Sequence, residues 1–218
     1  MAEPRLPYAD RADAGRVLAA RLAGRVWRDP LVLALPRGGV PVALEVGREL
    51  RAPVEVFVIR KLGHPRQPEL GLGAIAEGGE PMYDARMLDV VGVGRDELAA
   101  VERRERAEVE RRVRRYRGPR PAPEVAGRDV IVVDDGLATG STARAALRAL
   151  AARGPARLVL AVPVGAAETV ADLRDDGYDL EVPAVPEDFR AVGQWYRAFD
   201  QLTDRDVTRM LAHAEEAS

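Results

Sequence analysis

The chain has 218 residues, 47% of them hydrophobic, and a formal net charge of −2. That is enough material for one sizeable α/β core, and the charge predicts no general affinity for nucleic acid or membrane. It contains no cysteine, which excludes disulfides and thiol catalysis.

The opening MAEPRLPYADRADAG lacks a basic stretch followed by an apolar one, and no apolar run approaches a membrane span, so a cytoplasmic protein is expected. Positions 8–25 read as an amphipathic helix with Asp10 as its N-cap and its Arg and Asp residues on a solvated face. LVLAL at 31–35, bounded by Pro30 and Pro36, reads as a central strand. The turn Pro36-Arg37-Gly38-Gly39-Val40-Pro41 then leads into a helix over 42–50. Its glycines permit close backbone approach, and Arg37 is a bidentate phosphate partner, so this turn is a candidate phosphate cradle.

VEVFVIR at 54–60 reads as a second strand, ending at Lys61, the single lysine among 33 basic residues. A compact, flexible ammonium can do what a planar guanidinium cannot. Positions 62–70 mix Gly, Pro and polar residues without periodicity and read as a loop, in which His64 is an incidental residue rather than an acid–base group. A short strand is expected within 71–79, with Glu77 near its end as a structural or Mg2+-shell carboxylate. Positions 81–93 suggest a short strand and turn. Over 95–117, Glu and Arg recur at i,i+3 and i,i+4, which predicts a solvated helix that projects or faces another subunit. A Pro-rich stretch follows it.

Positions 130–133, VIVV, predict a strand buried on both faces. Asp134 and Asp135 sit where it should end, followed by a loop of small residues, Gly136 to Gly140, and then Ser141 and Thr142 at the start of an Ala/Leu-rich helix. Unpaired N–H groups at such a helix start suit a phosphate, and ionised carboxylates suit a pair of vicinal hydroxyls. A Walker A loop is excluded, because no Lys separates Gly140 from Ser141. A response-regulator acidic pocket would follow the first strand of a domain, and an ordinary strand–turn–helix would not need all thirteen positions. A strand within 157–164, a helix over 166–174 and a last strand at 180–183 complete the alternation. Such an alternation means a mostly parallel sheet with helices on both faces. Ligands then bind at strand C-termini, so the patches after Leu35, Arg60 and Val133 are predicted to converge on one edge. At 186–200, Phe189, Trp195 and Tyr196 form either a stacking surface for a flat ring or a small cluster anchoring the C-terminal segment. A closing helix is expected over 202–216, with Thr203 as N-cap.

The stretch VIVVDDGLATGST, 130–142, resembles the phosphoribosyl-pyrophosphate (PRPP) signature of the type I phosphoribosyltransferases: an apolar strand, two acidic residues and a T-G-[ST]-T-type loop. The resemblance runs from about the first strand to the aromatic segment. It implies that family's fold, with 81–120 as a helical insertion and 184–218 as a hood-like aromatic segment plus closing helix. It implies Mg2+-dependent transfer of the 5-phosphoribosyl group of PRPP to a nitrogenous, purine-like base, with release of pyrophosphate. Carried over position by position, Asp134 and Asp135 would hold the ribose hydroxyls and the metal, and Ala138, Thr139, Gly140, Ser141 and Thr142 the 5-phosphate. Arg37, Gly38, Gly39 and Lys61 would hold pyrophosphate, with 62–70 supplying part of a lid and Phe189 and Trp195 stacking on the base. Phe189 and Val192-Gly193 match the family's segment, whereas the Asp it places close behind the Gly is replaced by Gln194-Trp195-Tyr196, which leaves the base open. A homo-oligomer is expected. The alternatives are a PRPP-binding regulator using the Arg-rich helix as contact surface, and a synthase-type enzyme of the same fold.

Overall fold

The computed structural model describes residues 4–216. Met1 to Glu3, part of the segment read for a leader, lie outside the described residues. Helix α1 (Arg11–Ala23) is capped by Asp10, whose side chain accepts the N–H of Asp13 at 2.8 Å. Strand β1 (Pro30–Ala34) leads into α2 (Gly39–Leu50), and β2 (Val54–Val56) follows. Strands β6 (Asp129–Val133), β7 (Arg157–Ala161) and β8 (Asp179–Glu181) alternate with α5 (Ser141–Ala151) and α6 (Ala167–Asp175). These strands form a five-stranded, wholly parallel sheet in the order β2-β1-β6-β7-β8.

Both faces of this sheet are covered, and the strand sequences show why they read as unbroken apolar runs. Val32, Ala34, Ile131 and Val133 point to one face, against Leu18 and Leu22 of α1 and Ala43 and Val46 of α2. The alternate residues Leu31, Leu33, Val130 and Val132 point to the other, against Leu147 and Leu150 of α5 and Leu173 of α6. A period-2 chain buried on both sides needs an apolar residue at every position.

Four expectations need correcting. The run VEVFVIR is two strands, because the chain leaves the parallel sheet after Val56 and enters β3 (Ile59–His64) of a separate antiparallel sheet, ordered β3-β4-β5. The segment 62–70, read as a loop, is the arm of a hairpin. β3 runs to His64, a tight turn follows, and β4 (Gln67–Ala76) returns with Lys61 opposite Ala74 and a register shift at Leu62 and Gly63. His64 is buried, and its Nδ1 accepts the N–H of Arg66 at 3.1 Å, which fastens that turn. Positions 81–93 hold the expected short strand, β5 (Met82–Tyr83), but a short helix, α3 (Ala85–Val91), stands in place of the turn.

The long helix α4 (Arg95–Arg117) has the expected span, but it does not project. Val101, Val109 and Tyr116 are buried in the core that also holds Val207 and Leu211 of α7 (Asp204–Glu216). Its outward side carries the expected i,i+3 and i,i+4 pairs, such as Arg111–Glu108 and Arg106–Glu102. Thr203 acts as the start of α7, its Oγ1 accepting the N–H of Asp206 at 3.2 Å. Among the described residues no helix is long and apolar enough to cross a membrane.

Candidate active site

The parallel register sets Ala34 of β1 opposite Val133 of β6, so the loops that leave these strands emerge side by side at their carboxyl ends. Leu35 N–H donates to the Val133 carbonyl at 2.8 Å, which extends the ladder by one rung into the loops. Beyond it the two loops press together. A Cβ on Gly38 would overlap the Asp135 carboxylate. One on Gly39 would overlap the Val133 carbonyl oxygen and approach Asp134 Cα to 2.9 Å. Both positions are glycine for want of room, a reason stronger than any turn preference. Gly39→Ala is therefore expected to cost about 2–3 kcal/mol, because backbone on both sides must part. A urea unfolding curve matching that of the wild type would contradict this.

Asp134 Oδ1 accepts the N–H of Asp135 at 2.8 Å, which turns the first carboxylate back onto the loop. Asp135 reaches the other way, its Oδ2 accepting from Arg11 Nε at 2.8 Å, while its carbonyl accepts the Tyr196 hydroxyl at 2.5 Å. Burial pushes the Asp134 carboxyl well above the ordinary carboxylate range, and the charge of Asp135 adds to this. Asp135 is also raised by burial, against the pull of Arg11. Two adjacent, half-buried carboxylates held this way have unmet capacity for donors or cations.

The remainder of the loop forms an open cradle. Gly140 adopts φ +70°, a left-handed turn that leads directly into α5, and Thr139, Ser141 and Thr142 are exposed around it, with Thr139 Oγ1 3.3 Å from Ser141 Oγ. The loop is braced from below, where Leu137 N–H donates to the Val164 carbonyl at 2.9 Å and Thr169 Oγ1 donates to the Ala138 carbonyl at 2.5 Å. The first turn of α5 has the N–H groups that a helix start leaves unpaired, and the hydroxyls of Thr139, Ser141 and Thr142 lie exposed around it, a set of donors suited to an anion.

Arg37 borders the same cleft, which has a volume of about 450 Å³ and is also lined by Arg11, Gly38, Asp135, Phe199 and Leu202. Its guanidinium lies 3.8 Å from Asp204 at the start of α7. Asp204 also accepts from Tyr116 at 2.6 Å and Arg111 at 3.0 Å, and these hydrogen bonds hold it below the usual carboxylate range although burial opposes them. Lys61 does not stand at the end of a parallel strand; it sits in β3, its stem alongside Gly71 of β4. Two of the three expected patches therefore meet at the parallel sheet's edge, and the third is carried by the antiparallel hairpin. Phe189 and Trp195 stack on each other, 6.4 Å between ring centroids and 25° between planes, within a cluster that includes Tyr8 and Tyr196. Val192 touches the signature loop directly, since a Cβ on Gly136 would lie 2.5 Å from its Cγ1. The aromatic segment thus anchors the C-terminal segment against the signature, and Trp195 Nε1 is buried without a hydrogen-bond partner.

Residues 10–196 match the model of the phosphoribosyl transferase domain, spanning both loops and the aromatic turn. The chain belongs to that family. It is 46% identical over 209 residues to a Mycobacterium tuberculosis protein whose name as a phosphoribosyl transferase is provisional, covering 95% of this chain and 47% of that one. The chain thus spans about half the length of the curated relatives it matches. The uracil phosphoribosyltransferase of Lactobacillus gasseri is 36% identical over 74 residues, 34% of this chain and 35% of that enzyme. Among solved structures, TT1426 from Thermus thermophilus is 41% identical with a TM-score of 0.83, over 95% of this chain and 99% of that one.

In this member of the phosphoribosyl transferase family, sequence reasoning missed four residues that touch the candidate site: Arg11, Tyr196 as a hydrogen-bond donor to the signature, Phe199 and Asp204. Only Arg11 left a trace. It is a cation at the first position of a helix, where the dipole is positive, and such a local conflict often marks a site whose reason lies elsewhere.

Proposed function

We propose that this chain transfers the 5-phosphoribosyl group of PRPP to a nitrogenous, purine-like base and releases pyrophosphate. The observation that carries the reading is the contact of the two loops, with Gly38 against Asp135 and Gly39 against Val133. It brings the second glycine turn against the carboxylate pair where β1 and β6 end, next to the loop that leads into α5, an arrangement suited to a phosphorylated sugar diphosphate. The α5 N–H groups with Thr139, Ser141 and Thr142 hold the 5-phosphate. Asp134 and Asp135 accept the ribose hydroxyls, and Arg37, Gly38, Gly39 and the hairpin's Lys61 take pyrophosphate.

No nucleophilic side chain is needed. Displacement at the anomeric carbon builds positive charge on the sugar ring, which the two carboxylates stabilise, while the cations and loop amides neutralise the leaving group. Mg2+ when bound would neutralise and orient the diphosphate. The donor set fits such a role, since Asp134 and Asp135 are adjacent carboxylates at the end of β6 and Asp135 lines the cleft. Mg2+ commonly uses one or two carboxylates plus substrate phosphates rather than a complete protein cage. Phe189 and Trp195 lie on the acceptor side in this reading, and the protein acts in nucleotide metabolism in the cytoplasm.

Calorimetric titration of PRPP with Mg2+, followed by a panel of purine and pyrimidine bases with pyrophosphate release as readout, tests the proposal. Binding with release on one base is expected. Binding without release on any base would favour a PRPP-binding regulator, and no binding would defeat both readings.

A further inference from the structure

Arg11 opens α1, where the helix dipole is positive and a cation is locally disfavoured. Three contacts hold it there nonetheless. Its Nε donates to Asp135 Oδ2 at 2.8 Å, its Nη1 donates to the Asp200 carbonyl at 2.9 Å, and its guanidinium carbon lies 3.8 Å from the Phe199 ring centroid. The side chains of Arg11 and Asp135 are only 11% and 15% exposed, so this ion pair is sheltered from solvent, unlike the surface pairs of α4. The partner, Asp135, is one of the two carboxylates assigned to the ribose hydroxyls. Asp134 Oδ1 is already engaged by the Asp135 N–H. Asp135 Oδ2 is thus an acceptor aimed into the cleft, and Arg11 occupies it.

We propose that Arg11 is an internal stand-in for the ribose diol: it satisfies Asp135 in the free protein and leaves it when the sugar arrives. The inference rests on the phosphoribosyl reading above. A donor on Nε presents to the carboxylate what a sugar hydroxyl would present, so the two compete for one oxygen. Any ribose-bearing ligand must break this pair, and its affinity is lowered by what the pair contributes. A ligand that touches only the Arg37 loop is indifferent to it.

The test uses two probes on the full chain, ribose 5-phosphate and inorganic pyrophosphate, each titrated calorimetrically with Mg2+ into the wild type and Arg11→Met. Met keeps the stem and removes the donor. Ribose 5-phosphate is expected to bind Arg11→Met about ten-fold tighter, equivalent to about 1.4 kcal/mol, with pyrophosphate unchanged. Phe199→Leu, which removes the ring that holds the guanidinium but keeps every charge, is expected to tighten ribose 5-phosphate by a smaller factor, about three-fold. It provides the answer if Arg11→Met does not fold. Equal or weaker ribose 5-phosphate binding in the variant overturns the inference, and so does a matching loss for pyrophosphate, which would make Arg11 an anion ligand. A wild type that binds neither ribose 5-phosphate nor PRPP overturns the phosphoribosyl reading itself, and this inference with it.

Discussion

Asp134→Asn is expected to lower PRPP-dependent turnover by about 10²–10³-fold while raising the thermal midpoint of the free protein by about 2–4 °C near neutral pH. The two effects share one cause. The wild-type carboxyl is raised by burial and by Asp135, so ionising it in the folded protein costs free energy that ionising it in the unfolded chain does not. The folded state therefore binds the proton more tightly than the unfolded one. The contribution of Asp134 to stability is greatest below the ordinary carboxylate range and is lost as pH rises through the raised value. Asn keeps the Oδ1 acceptor for the Asp135 N–H, now at 2.8 Å, and so keeps the loop. It removes the charge that the sugar cation and its hydroxyls need. Thermal melts at about pH 8 and about pH 4 separate the terms, since the midpoint gain should vanish in acid, where the wild-type carboxyl is protonated. The same protonation should weaken binding of ribose-bearing ligands to the wild type as pH falls through the raised range. Wild-type turnover in Asp134→Asn would remove the carboxylate from the reaction. A lower midpoint at about pH 8 would remove the burial argument.

What was legible in the sequence was local. The strand VIVV, the acidic pair, the small-residue loop and the α5 start are thirteen consecutive residues, and their placement follows from backbone geometry over that span alone. The five parallel strands were legible for a similar reason, since a sheet covered on both faces leaves short apolar runs between helices. The β2–β3 break was not, because Phe57 and Val58 are as apolar as their neighbours and hydrophobicity cannot tell a strand that continues from one that changes sheet. The β3–β4 hairpin was hidden by its own composition. Gly63 and Gly73 are needed where another backbone approaches, as a Cβ on Gly63 would collide with Pro68 and one on Gly73 with Met82, and Gly63 among prolines and polar residues reads as loop. Arg11 was hidden by distance, since its partner lies 124 positions away and its place at the positive end of α1 is the one local sign that sets it apart from the solvated arginines beside it.

The β2–β3 joint also supports the second large prediction, which concerns Glu77 and Arg117. Where the chain leaves one sheet for the other, the backbone around Phe57 and Val58 has polar groups that neither sheet's own ladder fully pairs. Arg117, the last residue of α4, donates from Nη2 to the Val56 carbonyl at 2.7 Å and to Glu77 Oε1 at 2.8 Å. Glu77 Oε2 accepts the Val58 N–H at 3.1 Å, and the Glu77 carbonyl accepts from Arg153 at 2.5 Å. Both charged residues are buried, Glu77 at 5% and Arg117 at 4% exposure, so Glu77 is the structural carboxylate of the two roles open to it from sequence. A buried pair adds little net stability when compared with a well-packed apolar pair, but removing one partner strands the other's charge. Arg117→Met is accordingly expected to destabilise the protein by about 3–5 kcal/mol, lowering the midpoint by roughly 10 °C. Glu77→Gln should cost less, because Glu55 remains 3.6 Å from Arg117 Nε and still faces its charge. The double variant should recover part of the Arg117→Met loss, since no unpaired carboxylate then remains at the joint. Additive costs in the double-mutant cycle would mean that the two residues act separately, and the joint would have to be held by its backbone alone.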